Sequence, residues 1–464
     1  AEVWLDISPD GKHLLVTVQK GDGGEFEHFL VDPAHKITRI TRYEDKVTAA
    51  AFGPGDTLYL VSLKDAPRGK MIRLPVANPK LAEAKTIVPE SEVTVQGFRW
   101  GTSRFYANFV TTADRLYVVD LVGGPSRIRV FDLDGRPQKG VLAPPISSAG
   151  QVLAWKDGEI VFRSETFIDP PAWYVFDPSA GKVKKTALFR ASPADFSDSE
   201  VVREFAMSKD GTRVPLNIIR KKGTELDGKN PTILYGYGGY GSSQVPRFNL
   251  IRRVWLEQGG VYAIANLRGG GEFGEEWHRA GNLTKKQNVF DDFIACAEYL
   301  IDKKYTNPDK LAIMGGSNGG LLMGAALTQR PELFRAVVSF VGIYDMLRVE
   351  LHANGAFNVT EFGSVKDPEQ FKALYAYSPY HGVKGGTAYP AIFLLTGEND
   401  GRVDPHNSRK MTARLQAATS SKHPVLLRTS SSAGHGIGSS LSETIAENAD
   451  VFAFLFHELG VNYK

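Results

Sequence analysis

A short glycine-rich segment in the second half of the chain has the composition and spacing of a nucleophile turn. Residues 315–320 read Gly-Gly-Ser-Asn-Gly-Gly, which places Ser317 at the centre of a G-x-S-x-G pattern. The apolar run Leu311–Met314 precedes this segment, and the helix-like run Leu321–Leu327 follows it. The pattern in this context predicts a tight strand-to-helix turn that lifts the serine hydroxyl above a sheet and directs a helix N-terminus at the reaction centre. The predicted chemistry is nucleophilic attack on an acyl group.

Two interpretations without catalysis remain open for the same segment. It can be a glycine-rich turn with an idle serine, or it can be a phosphate-binding loop. The lysine that follows the glycines in phosphate-binding loops is absent here. The strand-turn-helix context favours the nucleophile.

A serine nucleophile needs a base, and the base needs an acid that orients it. In hydrolases built on an α/β sheet, the chain order is serine, then Asp or Glu, then His. Asp400 follows the apolar run Ala391–Leu395 and so falls at the carboxyl edge of the predicted sheet, where ligands bind in such folds. His435 lies in a glycine-containing loop after the last apolar run. Order and position favour this pair over the competing carboxylates, Asp345, Glu398 and Asp404, and over the competing histidines, His278, His352, His381, His406, His423 and His457.

The elements that must position these residues are apolar runs that alternate with helical segments from about residue 201 onward. In the segment 288–303, apolar residues recur at steps of three and four, which is typical of an amphipathic helix. Continuous apolar runs indicate strands buried on both faces. We therefore expect a mostly parallel sheet with helices on both faces. The runs are Pro231–Tyr235, Val261–Ala265, Leu311–Met314, Ala336–Val341, Ala391–Leu395 and Pro424–Leu427.

The first 200 residues have a different pattern, in which short apolar runs rich in β-branched and aromatic residues are separated by turn signals. Asp-Gly pairs recur at residues 10–11, 134–135, 157–158 and 210–211, and they suit tight hairpins because glycine accepts positive φ. Repeating short strands with regular turns predict the blades of a β-propeller. A β-sandwich is the alternative interpretation. Examples of these runs are His13–Val18, Thr57–Val61, Arg115–Val119 and Glu159–Phe162.

Composition excludes several classes of protein. The 464 residues include 42% hydrophobic and 23% charged side chains, which is ordinary globular composition, and the net charge is only +3. This balance gives no case for binding nucleic acid or an anionic membrane. No run approaches the length of a transmembrane helix. The single cysteine, Cys296, cannot form a disulfide within the chain, which fits a cytoplasmic protein, with a periplasmic one as the alternative.

Six motifs follow one another in the region from about residue 201 to 464. They are Tyr235–Tyr240, Asn266–Glu272, Lys286–Phe293, Gly315–Gly320, Asp400–Val403 and Ala433–Gly436. With these motifs in this order, the region closely resembles the catalytic domain of the prolyl oligopeptidase family of serine peptidases. The asparagine after the serine resembles the prolyl branch of the family, since the oligopeptidase B branch usually has alanine at that position. The resemblance implies an α/β-hydrolase domain at residues 201–464, preceded by a β-propeller domain at residues 1–200.

The resemblance implies a role for individual residues. Ser317, Asp400 and His435 match the catalytic triad. The Tyr237 hydroxyl and the backbone N–H of Asn318 match the oxyanion hole, whereas Tyr237 taken alone would be only an aromatic residue at a strand end. Arg402 matches an arginine that binds a substrate carbonyl, and a surface ion pair is its alternative role. The positions that match the lining of the proline pocket are Tyr240, Ile343, Phe362 and Val403.

Two features depart from the family pattern. The family usually has a tryptophan that stacks on the substrate proline, and by motif spacing Asn358 occupies that position here. The adjacent Phe357 is a candidate substitute. A seven-bladed propeller needs about 300 residues at roughly 40–50 residues per blade. Only about 200 residues precede the hydrolase region here. The first departure leaves the strictness of the preference for proline open. From the second we expect a chain that is the carboxyl-terminal part of a longer protein with only the C-terminal blades of its propeller.

The sequence thus predicts a serine endopeptidase that cleaves short peptides after proline through an acyl-enzyme. No cofactor or metal is implied, because no cluster of Cys and His has ligand spacing. The expected partners are proline-containing peptides, with no nucleic acid or membrane, and the chain is expected to be a monomer. The alternatives are an oligopeptidase of other specificity (for a basic residue or an acylaminoacyl group), an esterase on the same fold, and a non-catalytic propeller scaffold.

Overall fold

The computed structural model describes residues 2–20, 25–99, 106–436 and 439–463. The chain divides into two units. The first comprises residues 1–193 with the short segments 245–249 and 271–277, and the second comprises residues 194–244, 250–270 and 278–464. The strand Ser199–Met207 lies in the second unit, although the predicted division at residue 200 cuts through it. The domain bounds 1–200 and 201–464 therefore stay a prediction.

The first unit is built from antiparallel sheets that follow one another along the chain. The first sheet contains β1 (Glu2–Ile7), β2 (Leu14–Lys20), β3 (Glu25–Val31) and β4 (Ile37–Thr41). The second contains β5 (Val47–Gly53), β6 (Thr57–Ser62), β7 (Lys70–Pro75) and β8 (Lys85–Val88). The third contains β9 (Thr94–Val95), β12 (Phe109–Thr111), β13 (Arg115–Leu121), β14 (Ser126–Asp132) and β15 (Pro137–Val141), while β10 (Phe98–Arg99) pairs with β11 (Tyr106–Ala107). The fourth contains β16 (Ser147–Ala154), β17 (Ile160–Thr166), β18 (Ala172–Asp177) and β19 (Lys182–Phe189).

Successive sheets of this unit pack face to face through separate apolar cores. Because side chains alternate along a strand, β13 directs Leu116 and Val118 into one core and Tyr117 and Val119 into the next. The predicted propeller blades are confirmed, and the β-sandwich alternative is wrong. The cores are represented by Leu15, Leu30, Leu58 and Leu60 between the first and second sheets, by Val61, Met71, Leu116 and Val118 between the second and third, and by Tyr117, Val119, Ile160 and Phe162 between the third and fourth.

The Asp-Gly pairs form the predicted turns. Each glycine has positive φ: 74° at Gly11, 89° at Gly135, 78° at Gly158 and 85° at Gly211. The Asp-Gly pairs at residues 10–11, 134–135 and 157–158 join adjacent strands of the blades, and the pair at 210–211 joins the first two strands of the second unit. A side chain at these glycines would strain the backbone, because L-residues seldom adopt positive φ.

The second unit is organised around an eight-stranded sheet. Its strands are β20 (Ser199–Met207), β21 (Arg213–Lys221), β22 (Thr232–Tyr235), β23 (Val261–Ala265), β24 (Leu311–Gly316), β25 (Ala336–Phe340), β26 (Ala391–Gly397) and β27 (Val425–Ser430). The strand order is β20-β21-β23-β22-β24-β25-β26-β27, in which β20 and β21 pair antiparallel and the strands from β23 onward pair parallel. All six apolar runs predicted from the sequence are strands of this sheet.

Helices connect the strands and cover both faces of the sheet. They are α1 (Arg252–Glu257), α3 (Gln287–Asp302), α4 (Asn318–Gln329), α5 (Gly355–Phe362), α6 (Pro368–Tyr377), α7 (Pro379–Gly382), α8 (His406–Ala418) and α9 (Leu441–Leu459). The short helix α2 (Glu275–Arg279) begins in the segment 271–277, which is grouped with the first unit. Single 3₁₀ turns occupy Tyr43–Asp45, Leu81–Glu83, Lys156–Gly158, Leu283–Lys285, Pro308–Lys310, Pro331–Leu333 and Val349–Leu351. In the ranges that the structure describes, we find no helix long and apolar enough to cross a membrane.

Alternate residues of the buried strands enter two different cores. Ile233 of β22 packs in a core with Leu455 of α9, whereas its neighbour Leu234 packs in a core with Phe293 of α3 and Leu322 of α4. Each fully buried side chain of this size contributes roughly 1.5–3 kcal/mol. Burial on both faces fixes the heights and directions of the strand ends, and these ends carry the candidate site.

Candidate active site

Ser317 occupies the turn between β24 and α4, as the G-x-S-x-G pattern predicts. Its backbone has φ 58° and ψ −118°, a conformation that is costly for a residue with a side chain. The N–H of Ser317 donates to the carbonyl of Phe340 at 2.8 Å, and its own carbonyl accepts from the N–H of Gly320 at 2.9 Å. These bonds to the neighbouring strand and to the first helical turn hold the serine in the strained conformation.

The glycines around Ser317 are required by close backbone approaches. A Cβ on Gly315 would lie 2.6 Å from the carbonyl oxygen of Gly319, and a Cβ on Gly320 would lie 2.4 Å from Cα of Gly342. Neither contact leaves room for a methyl group. The strand β24, the helix α4 and the residues after β25 can therefore meet only where side chains are absent.

His435 lies between the serine and a carboxylate. Its Nε2 is 3.0 Å from Oγ of Ser317, and its Nδ1 is 2.7 Å from Oδ2 of Asp400. A neutral imidazole with its proton on Nδ1 donates to Asp400 and can accept the serine proton at Nε2. The structure therefore brings together the three residues that the chain order singled out.

Asp400 is held by the backbone of its own loop. Its side chain is fully buried, and Oδ1 accepts the N–H groups of Arg402 at 2.9 Å and Val403 at 2.8 Å. These two bonds leave Oδ2 directed at the imidazole. The carboxylate thus has one oxygen for anchoring and one for orienting His435.

A close approach between two loops carries His435 to this position. A Cβ on Gly397, at the end of β26, would lie 2.3 Å from the carbonyl oxygen of Ala433. The same carbonyl accepts the N–H of Asn399 at 3.2 Å, and the Asn399 side chain donates to the carbonyl of Ser431 at 2.9 Å. The loop after β27 is therefore tied to the loop that supplies Asp400.

The competing carboxylates and histidines have other contacts. Asp345 pairs with Lys410 at 2.5 Å, Glu398 pairs with Arg409 at 3.2 Å, and Asp404 accepts the N–H of His406 at 2.9 Å. His457 is exposed at the end of α9. The remaining histidine contacts are His278 with Glu361, His381 with Ser378, His423 with Arg335, and His352 with His406.

Tyr237 and Asn318, the two residues predicted for an oxyanion hole, are adjacent in the structure. Asn318 is buried at the first position of α4, and its side-chain amide donates to the carbonyl of Tyr237 at 2.5 Å. A Cβ on Gly319 would lie 3.6 Å from both Cα and Cδ2 of Tyr237, so the tyrosine ring runs along the first turn of the helix. The partial positive charge of a helix N-terminus favours negative charge at this place.

The residues predicted to line a pocket are partly brought together. Ile343, Phe362 and Val403 are buried in one apolar core, and Tyr240 packs against it. The rings of Tyr240 and Phe362 meet edge to face with centroids 5.7 Å apart. Aromatic and aliphatic groups of this kind suit a small apolar ring.

The positions at which the sequence departs from the family pattern lie on α5. The Tyr240 hydroxyl donates to Oδ1 of Asn358 at 2.8 Å, so the residue at the usual tryptophan position holds a pocket ring in place. Phe357 has 47% of its surface exposed.

Arg402, the residue predicted to bind a substrate carbonyl, is exposed, and its backbone belongs to the loop that anchors Asp400.

Sequence reasoning missed a buried ionic cluster beside these residues. Lys286 and Glu361 form a fully buried ion pair of 2.7 Å, and His278 contacts the same carboxylate at 2.9 Å. Lys286 lies in one of the motifs that carry the family resemblance, but neither its burial nor its partner can be read from spacing. Glu361 gave no sequence signal, since a carboxylate on a short helix ordinarily faces water.

Family models and known proteins match most of the chain. The model described as the prolyl oligopeptidase family matches residues 246–462, and the model of the prolyl oligopeptidase N-terminal beta-propeller domain matches residues 2–188. A prolyl endopeptidase of Elizabethkingia meningoseptica is 36% identical over 462 residues, which cover 98% of this chain and 63% of that protein.

Solved structures agree with these matches. One solved structure comes from an analysis of two prolyl endopeptidases and matches with a TM-score of 0.88 at 37% identity. The match covers 99% of this chain and 66% of that chain. Prolyl oligopeptidase B of Galerina marginata, bound to a 35mer hydrolysis and macrocyclization substrate, matches with a TM-score of 0.88 at 28% identity. The match covers 100% of this chain and 65% of that chain. The chain thus spans slightly under two thirds of the length of these relatives.

Proposed function

The chain belongs to the prolyl oligopeptidase family, and on that premise we propose that it is a serine endopeptidase that hydrolyses short peptides, preferably on the carboxyl side of proline. The observation that carries the proposal is the hydrogen-bonded series from Ser317 through His435 to Asp400. Such a series converts a weak hydroxyl nucleophile into a reactive one, because the base removes its proton during attack.

The first half of the proposed reaction forms an acyl-enzyme. Oγ of Ser317 bonds to the carbonyl carbon of the peptide while Nε2 of His435 takes the hydroxyl proton. Asp400 keeps the imidazole in the required tautomer and stabilises the imidazolium. The tetrahedral intermediate collapses when His435 donates the proton to the leaving amine. In the second half, water replaces the amine and the same steps release the acid.

The negatively charged oxygen of the tetrahedral intermediate must be stabilised by hydrogen-bond donors. We assign this role to the backbone N–H of Asn318 and the hydroxyl of Tyr237. The hydrogen bond from the Asn318 side chain to the Tyr237 carbonyl supports the assignment, because it joins the two proposed donors in one rigid unit. A single preorganised donor of this kind contributes about 2.7–4 kcal/mol to the barrier reduction.

Substrate selection is assigned to the residues that follow the sheet's carboxyl ends. The apolar side chains of Tyr240, Ile343, Phe362 and Val403 would receive a proline ring, and the Arg402 guanidinium would bind a peptide carbonyl. Asn358 offers an amide where the family pattern has a tryptophan, so less stacking is available to the ring. This difference favours a proline preference that is present but not strict.

The experiment that tests the proposal is cleavage-site mapping. The 464-residue chain is incubated with a peptide library, the products are identified by mass spectrometry, and Ser317→Ala is the matched control. We expect cleavage mainly after proline and none with the control. Cleavage after basic residues, release of acylated amino acids, or faster hydrolysis of short acyl esters would replace the proposal with the corresponding alternative. Failure of Ser317 to react with a fluorophosphonate would favour a non-catalytic scaffold.

We further propose that the chain acts as a monomer in the cytoplasm. The single cysteine, Cys296, is buried in α3, where burial raises the pKa of its thiol and so keeps it unreactive. Light scattering after size-exclusion chromatography tests the oligomeric state. Fractionation of source cells tests the compartment, and recovery from the periplasm would contradict the proposal.

A further inference from the structure

Lys286 and Glu361 form an ion pair in an unusual environment. Their side chains are 0% and 2% exposed, and the ammonium is 2.7 Å from Oε1 of the carboxylate. Removing two charges from water is expensive, and a buried pair often stabilises a fold no better than apolar residues of similar volume. The pair is therefore poorly explained by stability alone. Its directional bonds offer another explanation, since they fix geometry in a way that apolar contacts do not.

The contacts of the pair lead to the loop after β22. Nζ of Lys286 also donates to the carbonyl of Gly238 at 3.0 Å. Gly238 lies between Tyr237 and Tyr240, the proposed oxyanion donor and a proposed pocket residue. Tyr240 itself has φ 56°, a strained backbone value that must be maintained by its surroundings. The ammonium thus anchors the loop two residues before this strained position.

The other contacts of the pair lead to helix α5. Glu361 is followed directly by Phe362, and Nζ of Lys286 lies 5.3 Å from the centroid of the Phe362 ring. The second carboxylate oxygen, Oε2, is 2.9 Å from Nε2 of His278. The ring of His278 in turn lies 3.8 Å from the place that a Cβ of Gly241 would occupy. The Glu361 carboxylate therefore connects α5 with the loop after β22 in two places, through Lys286 at Gly238 and through His278 at Gly241.

The charge of Glu361 is maintained by the two neighbouring basic side chains. Burial would raise the pKa of Glu361, but the nearby Lys286 and His278 outweigh it and lower that pKa below its ordinary value. Glu361 therefore keeps its negative charge at neutral pH. Burial lowers the pKa of Lys286 from its ordinary value.

We propose that the buried Lys286–Glu361 pair, together with His278, positions the Tyr240 and Phe362 rings and thereby sets the proline selectivity of the site. These are positioning residues, because they act through the two rings rather than on the substrate. The part of this inference that concerns proline rests on the proposed function. The part that concerns the position of the rings does not.

The test uses the complete 464-residue chain and two variants of the pair. Glu361→Gln keeps the size of the side chain but leaves the Lys286 ammonium without its counter-charge. Lys286→Met combined with Glu361→Gln removes both charges and therefore leaves no unpaired ion in the interior. This double variant keeps the test possible if the single variant does not fold. The matched control is Glu458→Gln, which breaks the Arg335–Glu458 pair of 3.0 Å. Arg335 directly precedes β25, so this pair lies at the opposite edge of the sheet from Ser317.

The kinetic readout is the ratio of kcat/KM for matched peptides with proline or alanine before the cleaved bond. We expect both variants of the pair to lower this ratio by about tenfold or more, chiefly through KM for the proline peptide. The rate at which a fluorophosphonate labels Ser317 should change less than this ratio, because the reagent carries no proline ring and the series Ser317, His435 and Asp400 is untouched. A modest decrease is compatible with the loss of the Gly238 anchor beside Tyr237. Glu458→Gln should leave the ratio at the wild-type value. An unchanged ratio in folded variants of the pair would overturn the selectivity claim.

The structural readout separates this inference from the proposed function. Crystal structures of the wild type and the double variant should differ in the 5.7 Å separation of the Tyr240 and Phe362 rings, or in the 2.8 Å bond from Tyr240 to Asn358, by more than about 0.5 Å. Retention of both distances would refute the positioning role. If the wild type cleaves peptides without regard to proline, the proposed function fails, and the crystal structures still decide the position of the rings.

Discussion

The hydroxyl oxygen of Ser317 and Nε2 of His435 lie 3.0 Å apart although 118 residues separate them in the chain. Two local devices produce this distance. The strained turn raises the serine from the end of β24, and the close approach of Ala433 to Gly397 carries the histidine loop to the same edge. The contact therefore depends on backbone geometry at glycines as much as on the reacting side chains.

Replacing the nucleophile tests the central assignment. Ser317→Ala should lower kcat for a chromogenic prolyl peptide by at least about 10⁴-fold, because the acyl-enzyme cannot form without the hydroxyl. The thermal unfolding midpoint should remain near that of the wild type, since a single hydroxyl contributes little to packing. Wild-type hydrolysis by a folded Ser317→Ala variant would show that another residue is the nucleophile.

The backbone at the same position gives a prediction about stability. Ser317 has φ 58°, so alanine at this position keeps the strain whereas glycine relieves it. The strain is of the order of 1–3 kcal/mol, and the extra chain entropy of glycine offsets about 0.5–1 kcal/mol of it. Ser317→Gly should therefore be inactive but more stable than Ser317→Ala by on the order of 1 kcal/mol. Urea unfolding of the two variants measures the difference, and an equal or lower stability of the glycine variant would contradict the strain.

Much of the second unit could be predicted because its signals are local. Strands buried on both faces must be continuous apolar runs, and all six such runs are found in the sheet. The G-x-S-x-G turn also depends on neighbouring residues alone. The hairpin of β20 and β21 carries a predicted Asp-Gly turn, but its place at the edge of this sheet depends on pairing with β23, which no local pattern reports.

The parts of the site that were not predicted depend on distant partners. The carboxylate of Glu361 can be buried because Lys286, 75 residues away, and His278 compensate its charge. In the same way, Asn358 could be recognised from the sequence as a departure from the family pattern, but its bond to Tyr240 spans 118 residues. Spacing reveals the face of a helix, whereas these contacts follow from how helix α5 packs in three dimensions.

The proposed oxyanion donor can be tested by removing one oxygen atom. Tyr237→Phe should lower kcat by about 10²–10³-fold with little change in KM, because the hydroxyl would act on charge that develops only in the transition state. The matched control is Tyr389→Phe, which removes a buried hydroxyl that accepts the N–H of Lys384 at 2.8 Å, just before the start of β26. A Tyr237→Phe variant with the kcat of the control would remove Tyr237 from the mechanism.

The ion pair between Asp210 and Arg268 predicts a specific dependence of stability on pH. The hydrogen bond from Arg268 lowers the pKa of Asp210 from 3.8 to about 2. The stability that this pair contributes is complete above the unfolded pKa and is lost as the pH falls through the folded value. Asp210→Asn should therefore be less stable than the wild type at pH 7, and the gap between them should narrow below about pH 4. Urea unfolding of both proteins between pH 7 and pH 3 measures the gap, and a constant gap would contradict the prediction.

The side chain at position 358 should control how strictly proline is selected. Asn358 now holds the Tyr240 hydroxyl at 2.8 Å, and it presents an amide where the family pattern has a stacking ring. In Asn358→Trp, an indole would face the saturated ring of the substrate proline. We expect this contact to contribute an energy of the size known for aromatic pairs, about 0.5–1.5 kcal/mol beyond simple burial. The ratio of kcat/KM for proline over alanine peptides should rise by about two- to tenfold, the range that this energy represents. Asn358→Ala is the control, because it also releases Tyr240 but adds no ring, and its ratio should fall or stay constant. If both variants lower the ratio equally, the bond to Tyr240 is the feature of Asn358 that matters, and stacking at this position contributes nothing.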